Sequence, residues 1–117
     1  MPGRPPTWTR DELILALDLY LSCGRKVLET TSPETIKLVV VINRLRFDDQ
    51  PASVQPRRTP GSVKAKLANL RALDPSTEST GWGNGGRLDL EVWNQFADRP
   101  DALAHAASVI RARSNDP

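Results

Sequence analysis

The stretch Thr9-Arg10-Asp11-Glu12-Leu13-Ile14-Leu15-Ala16-Leu17-Asp18-Leu19-Tyr20-Leu21 opens on a helix cap and then stays apolar on nearly every side until Gly24. Thr9 and Glu12 have the spacing of a capping box, in which each side chain satisfies a backbone amide beside the other, and Gly24 is a stop signal. A helix apolar all round belongs in the middle of a domain, with other elements packed about it. Trp8 precedes the cap. A hydrophobic staple would pin it to the first turn there; the other reading is a ring exposed beside a ligand.

Working outward, Ser32-Pro33-Glu34 starts a second helix that is predicted to run to about Leu45. Ile36, Val39, Val40 and Ile42 are β-branched, so a strand is a rival for its middle; the explicit cap decides for helix. Thr59-Pro60 starts a third, with Val63, Leu67 and Leu70 on one face and Asp74-Pro75 ending it. Leu88 to Ala97 is amphipathic, with Leu88, Val92 and Phe96 on one face and Trp93 as a core residue. A last helix is expected from about Pro100 to Arg113, capped by Asp98, with Leu103, Ala107 and Ile110 inward and His105 on the opposite side. The expectation is an all-α fold: a single compact domain of about five helices over residues 8–113, a flexible basic arm over 1–7 and a disordered tail over 114–117. At 117 residues, the chain holds one core. Its longest apolar run, Leu38 to Ile42, is far short of a membrane span and no leader pattern opens the sequence, so a soluble cytoplasmic protein is expected.

Charge is unevenly spread. Between Pro51 and Leu73 lie Arg57, Arg58, Lys64, Lys66 and Arg71 and no acid, although the chain carries 16 Lys/Arg and 14 Asp/Glu. The third helix is thus entered through two arginines. Ser62, Lys66 and Asn69 share one of its faces, and Lys64, Ala68 and Arg71 another. Cationic and amide side chains on a helix, with unpaired amides at its start, suit a phosphate backbone and base edges; a plain solvated basic helix is the alternative.

Catalytic chemistry has little to draw on. Cys23 and His105 are single, which excludes an internal disulfide and leaves too few ligands for a structural zinc site. No nucleophile elbow or paired-histidine motif occurs, so neither metal, cofactor nor small-molecule substrate is expected. Gly81, Gly83, Gly85 and Gly86 surround Trp82 without either phosphate-loop spacing, and read as a linker or as a flap that closes on a ligand.

Three blocks together carry a family likeness. They are Trp8-Thr9-Arg10-Asp11-Glu12-Leu13-Ile14-Leu15-Ala16-Leu17-Asp18-Leu19-Tyr20; Arg58-Thr59-Pro60-Gly61-Ser62-Val63 with Lys66-Leu67-Ala68-Asn69-Leu70-Arg71-Ala72-Leu73-Asp74-Pro75; and Gly85-Gly86-Arg87 with Val92-Trp93-Asn94-Gln95-Phe96-Ala97. Over about residues 8–111 the chain resembles the N-terminal domain of McrA-like, modification-dependent HNH restriction endonucleases. The resemblance implies a non-catalytic reader of double-stranded DNA carrying 5-methyl or related modified cytosine, with cleavage in a separate HNH domain. It implies Arg58, Ser62, Lys66, Asn69 and Arg71 on the DNA-facing helix and Trp8 near the modified-base pocket. The charge of the segment adds Arg57 and Lys64 to the DNA-binding residues, and Trp82, which has no counterpart in the family pattern, is a further tryptophan able to reach the pocket. The family's Phe-Arg-Asn-Pro-Asn-Gly-Val reads here Arg57-Arg58-Thr59-Pro60-Gly61-Ser62-Val63. Two other readings stand beside this one: a reader of phosphorothioate DNA, and a helical protein-interaction domain whose basic helix meets an acidic partner. A homodimer is compatible with each.

Overall fold

The computed structural model describes residues 8–45, 58–74 and 87–114; the arm, the loop around Trp82, Arg57 and residues 115–117 lie outside the described residues. The described residues form five α-helices and no strand: α1 (Arg10–Ser22), α2 (Pro33–Arg44), α3 (Pro60–Leu73), α4 (Arg87–Phe96) and α5 (Pro100–Ser114). The fold is all-α, as expected.

Local chemistry sets the boundaries. Thr9 caps α1 through a capping box: its Oγ1 accepts from the Glu12 amide at 3.2 Å while Glu12 Oε1 accepts from the Thr9 amide at 2.9 Å. At the other end Gly24 N–H donates to the Leu21 carbonyl and Arg25 N–H to the Tyr20 carbonyl, the paired bonds of a Schellman ending. That ending needs a left-handed residue, and Gly24 supplies it at φ 88°; Arg25 follows at φ 61°, unusual for a residue with a Cβ. In α3, Thr59 and Ser62 form a second capping box ahead of Pro60. Two caps differ from expectation. Ser32 stands at the start of α2, but its hydroxyl donates to the Glu34 carboxylate and caps no amide. The Leu103 amide bonds the Arg99 carbonyl, so Arg99 holds the cap position of α5 and Asp98 lies one residue before it.

α1 is the central element and packs against all four other helices. Leu13 to Leu17 are buried in succession, with Tyr20 behind them, against Val63, Leu67 and Leu70 of α3, Val92, Trp93 and Phe96 of α4, and Leu103, Ala107 and Ile110 of α5. α2 adds Leu38 and Ile42. Burial of this order, at about 25 cal/mol per Å² of apolar surface, is what holds so short a chain together. Contacts at both ends show that α1 and α3 run side by side and parallel: Glu12 at the start of α1 meets Arg58 just ahead of α3, and Tyr20 near the end of α1 meets Asp74 just after α3. No helix among the described residues is long and apolar enough to cross a membrane.

Candidate nucleic-acid interface

The parallel pairing brings the N-termini of α1 and α3 to one end of the molecule, where Trp8, Arg58 and Lys66 meet, while Arg71 lies on the last turn of α3 and Arg57 and Trp82 lie outside the described residues. Arg58 directly precedes the α3 cap, so the helix start fixes its backbone. Asn43 of α2 fixes it further, accepting from the Arg58 amide at 2.7 Å and donating to the Arg58 carbonyl at 3.0 Å. Its guanidinium runs inward. Nε donates to Glu12 Oε2 at 2.6 Å and Nη2 to Glu12 Oε1 at 2.9 Å, a bidentate pair with both side chains out of water.

The expectation for Arg58 was a place on the DNA-facing surface. Arg58, at 1% exposure, is among the largest fully buried side chains of the described residues, with its guanidinium turned to Glu12 and away from solvent. It supports Trp8 instead: the guanidinium carbon lies 4.6 Å from the Trp8 ring centroid. Lys66 approaches the same ring, its Nζ 5.6 Å from the centroid, and donates to Asp89 Oδ2 of α4 at 2.9 Å. That ion pair is almost as dry, with side chains 11% and 4% exposed. Trp8 is therefore held by two cations, each tied to a buried carboxylate, in the sequence Glu12, Arg58, Trp8, Lys66, Asp89. Cation–π contacts removed from water contribute about 2 kcal/mol each. The ring packs on the core edge and remains partly exposed.

The remaining residues of the basic segment are distributed as follows. Lys64 donates to Glu29 at 2.9 Å in an exposed pair. Ser62 is partly buried and its hydroxyl is engaged by the cap, accepting from the Thr59 amide and donating to the Thr59 carbonyl at 2.8 Å. Asn69 is partly buried on the same face as Lys66, and Arg71 is exposed on the last turn. The segment has no acid of its own, but the fold brings Glu12, Glu29 and Asp89 to three of its cations. Its charge is thus much reduced at the surface, which no count along the sequence could show.

At the opposite end of the helix pair, Asp74 accepts from the Tyr20 hydroxyl at 2.8 Å and from Arg25 Nη1 at 2.8 Å. Burial first, then the hydrogen bond to Asp74 and its charge, push the Tyr20 pKa well above the ordinary phenol range, against a smaller opposing influence of Arg25 and Arg71. Arg111 and Arg113 of α5 pair with Asp18 and Asp11, tying α5 along α1. His105 is exposed, Trp93 is buried, and no group of acidic, His or Cys residues able to hold a metal occurs among the described residues.

Comparison with protein-family models, curated proteins and solved structures finds no match for this chain.

Proposed function

We propose that this domain reads double-stranded DNA carrying modified cytosine, as a cytoplasmic binding module without cleavage activity of its own. What supports the reading is the Trp8 assembly: a partly exposed indole, fixed by two cations whose counter-charges are buried, at the end where the starts of α1 and α3 lie together. A rigid aromatic edge beside helix N-termini combines an apolar contact for a base substituent with amides for the adjoining phosphate. In this reading Arg58 and Lys66 position the indole. Phosphate contacts fall to Arg57, Lys64 and Arg71, with Ser62 and Asn69 nearest the base edges. Because Arg58 is buried, the slope of log K against log salt should be close to −3 at most, one charge for each of those three cations.

The test uses matched duplexes that are unmodified, methylated on one strand, methylated on both, or phosphorothioated. Burying one methyl is worth about 1 kcal/mol, so the preference per methyl should lie somewhat under tenfold. Trp8→Ala should keep the salt-dependent binding to unmodified DNA and lose the preference. A folded Trp8→Ala protein with the parent's affinity ratio would remove the indole from the pocket, and preference for the phosphorothioate duplex alone would move the site from the base to the backbone.

A further inference from the structure

α2 carries an apolar surplus that the fold does not absorb. Five consecutive apolar residues, Leu38 to Ile42, occupy more than one full turn, so no orientation of the helix buries them all. Leu38 and Ile42 enter the core and Val39 and Val41 pack at its edge. Val40 stays 43% exposed, and Ile36, one turn earlier on the same side, 47% exposed. β-branched residues are poor helix formers in solvent, where lysine or glutamate would serve the isolated domain better. Beside this face lies a groove of about 220 Å³ floored by Leu19, Leu38 and Val41 and edged by Glu34, Lys37 and Arg111.

The charges around the apolar pair indicate its occupant. Lys37 and Arg44 flank Ile36 and Val40, are exposed, and make no salt bridge with a described residue. The nearby acid, Glu34, accepts from the Ser32 hydroxyl at 2.8 Å and also feels the charge of Lys37, three positions on, which leaves the face with one net positive charge from Glu34, Lys37 and Arg44. A second copy packed across this face would bring the like charges of Lys37 and Arg44 from both copies onto one small patch. An acidic helix meets both the i, i+4 ridge and the cations.

We propose that the outer face of α2 is a docking surface for an acidic amphipathic helix of a partner protein, with apolar side chains against Ile36 and Val40, one of them in the groove beside Val41, and carboxylates toward Lys37 and Arg44. The surface does not include Trp8, although it lies on the same helix as Asn43, which holds the Arg58 backbone. Peptide binding is measured without DNA, so its outcome does not depend on the DNA reading.

Methyl NMR on the full chain tests it, titrating a synthetic amphipathic peptide with leucines at helical spacing and glutamates elsewhere, alongside its all-lysine counterpart. The glutamate peptide should shift the methyls of Ile36, Val40 and Val41 and leave the Trp8 indole unmoved. Ile36→Lys and Val40→Lys, both at exposed positions that leave the core intact, should each weaken it at least about fivefold. Equal binding of both peptides, shifts located elsewhere, or no binding at millimolar peptide would overturn the proposal. So would movement of the same methyls with protein concentration alone, matched by dimer in sedimentation, which would give the face to a second copy.

Discussion

The two ends of the α1–α3 pair solve the same electrostatic problem in opposite ways. A helix start favours a negative charge and a helix end a positive one. α3 has the reverse: Arg58 stands at its start and Asp74 at its end. Each is offset from the α1 side, Arg58 by Glu12 in a pair sealed from water, and Asp74 by Tyr20 together with Arg25, whose side chain is 41% exposed. The first end adds an indole that remains open to solvent; the second is closed by a neutral phenol. Charge sealed beside a partly exposed aromatic holds that ring in place, whereas the half-open pair at the other end fastens the helices without an aromatic at the surface.

Glu12→Ala should have the largest effect at either end. It leaves the Arg58 guanidinium buried without its counter-charge and removes the acceptor of the α1 capping box, a loss of about 3–5 kcal/mol. Against a total stability of about 5–15 kcal/mol that is enough to unfold much of the protein at moderate denaturant. Replacing both partners with apolar residues, Glu12→Leu with Arg58→Met, should recover most of the stability, since an apolar pair of similar volume removes the charge from a dry site. Urea melts of the single and double variants measure both. A single variant that loses less than about 1 kcal/mol would show that water reaches Arg58 and that the two ends are alike.

Asp74→Asn probes the other end and should cost less, about 1–2 kcal/mol, because Arg25 can turn to solvent and the amide oxygen still accepts from Tyr20. The difference from Glu12→Ala is the quantity of interest. A loss at Asp74 as large as that at Glu12 would mean that Arg25, held at φ 61°, depends on the carboxylate for its backbone conformation as well as its charge.

The helices themselves were legible from sequence because their signals are local. Thr9 with Glu12, Thr59 with Pro60, Gly24, and the spacing of Val63, Leu67 and Leu70 all act within a few residues. The ion pairs were not, because Glu12 and Arg58 are 46 positions apart and Tyr20 and Asp74 54. A charge count sees Arg58 as a surface cation; only the approach of α1 makes it the other half of a buried pair. A trace of this was present, since Glu12 opens a helix that is otherwise apolar on its buried sides and serves both as cap acceptor and as counter-ion. Asp89 left less trace, at a position where an acid in the first turn is ordinary.

The smallest expected effect isolates the closed end through its pH dependence. An unfolded tyrosine ionises near pH ~10. In the fold, burial and the bond to Asp74 hold the Tyr20 proton to higher pH, so above that point the unfolded chain binds fewer protons than the native one. The stability contributed by the raised pKa is therefore complete below pH ~10 and is lost as pH rises, by up to about 1.4 kcal/mol per unit. Tyr20→Phe should cost about 1 kcal/mol at neutral pH through the missing hydrogen bond, and should lose stability less steeply than the parent above pH ~10. Lysine titration falls in the same range but is common to both proteins, so the gap between their melts reports the phenol. Parallel curves would mean that Tyr20 ionises in place, and the end of the helix pair described as closed would be as open to solvent as the one that carries Trp8.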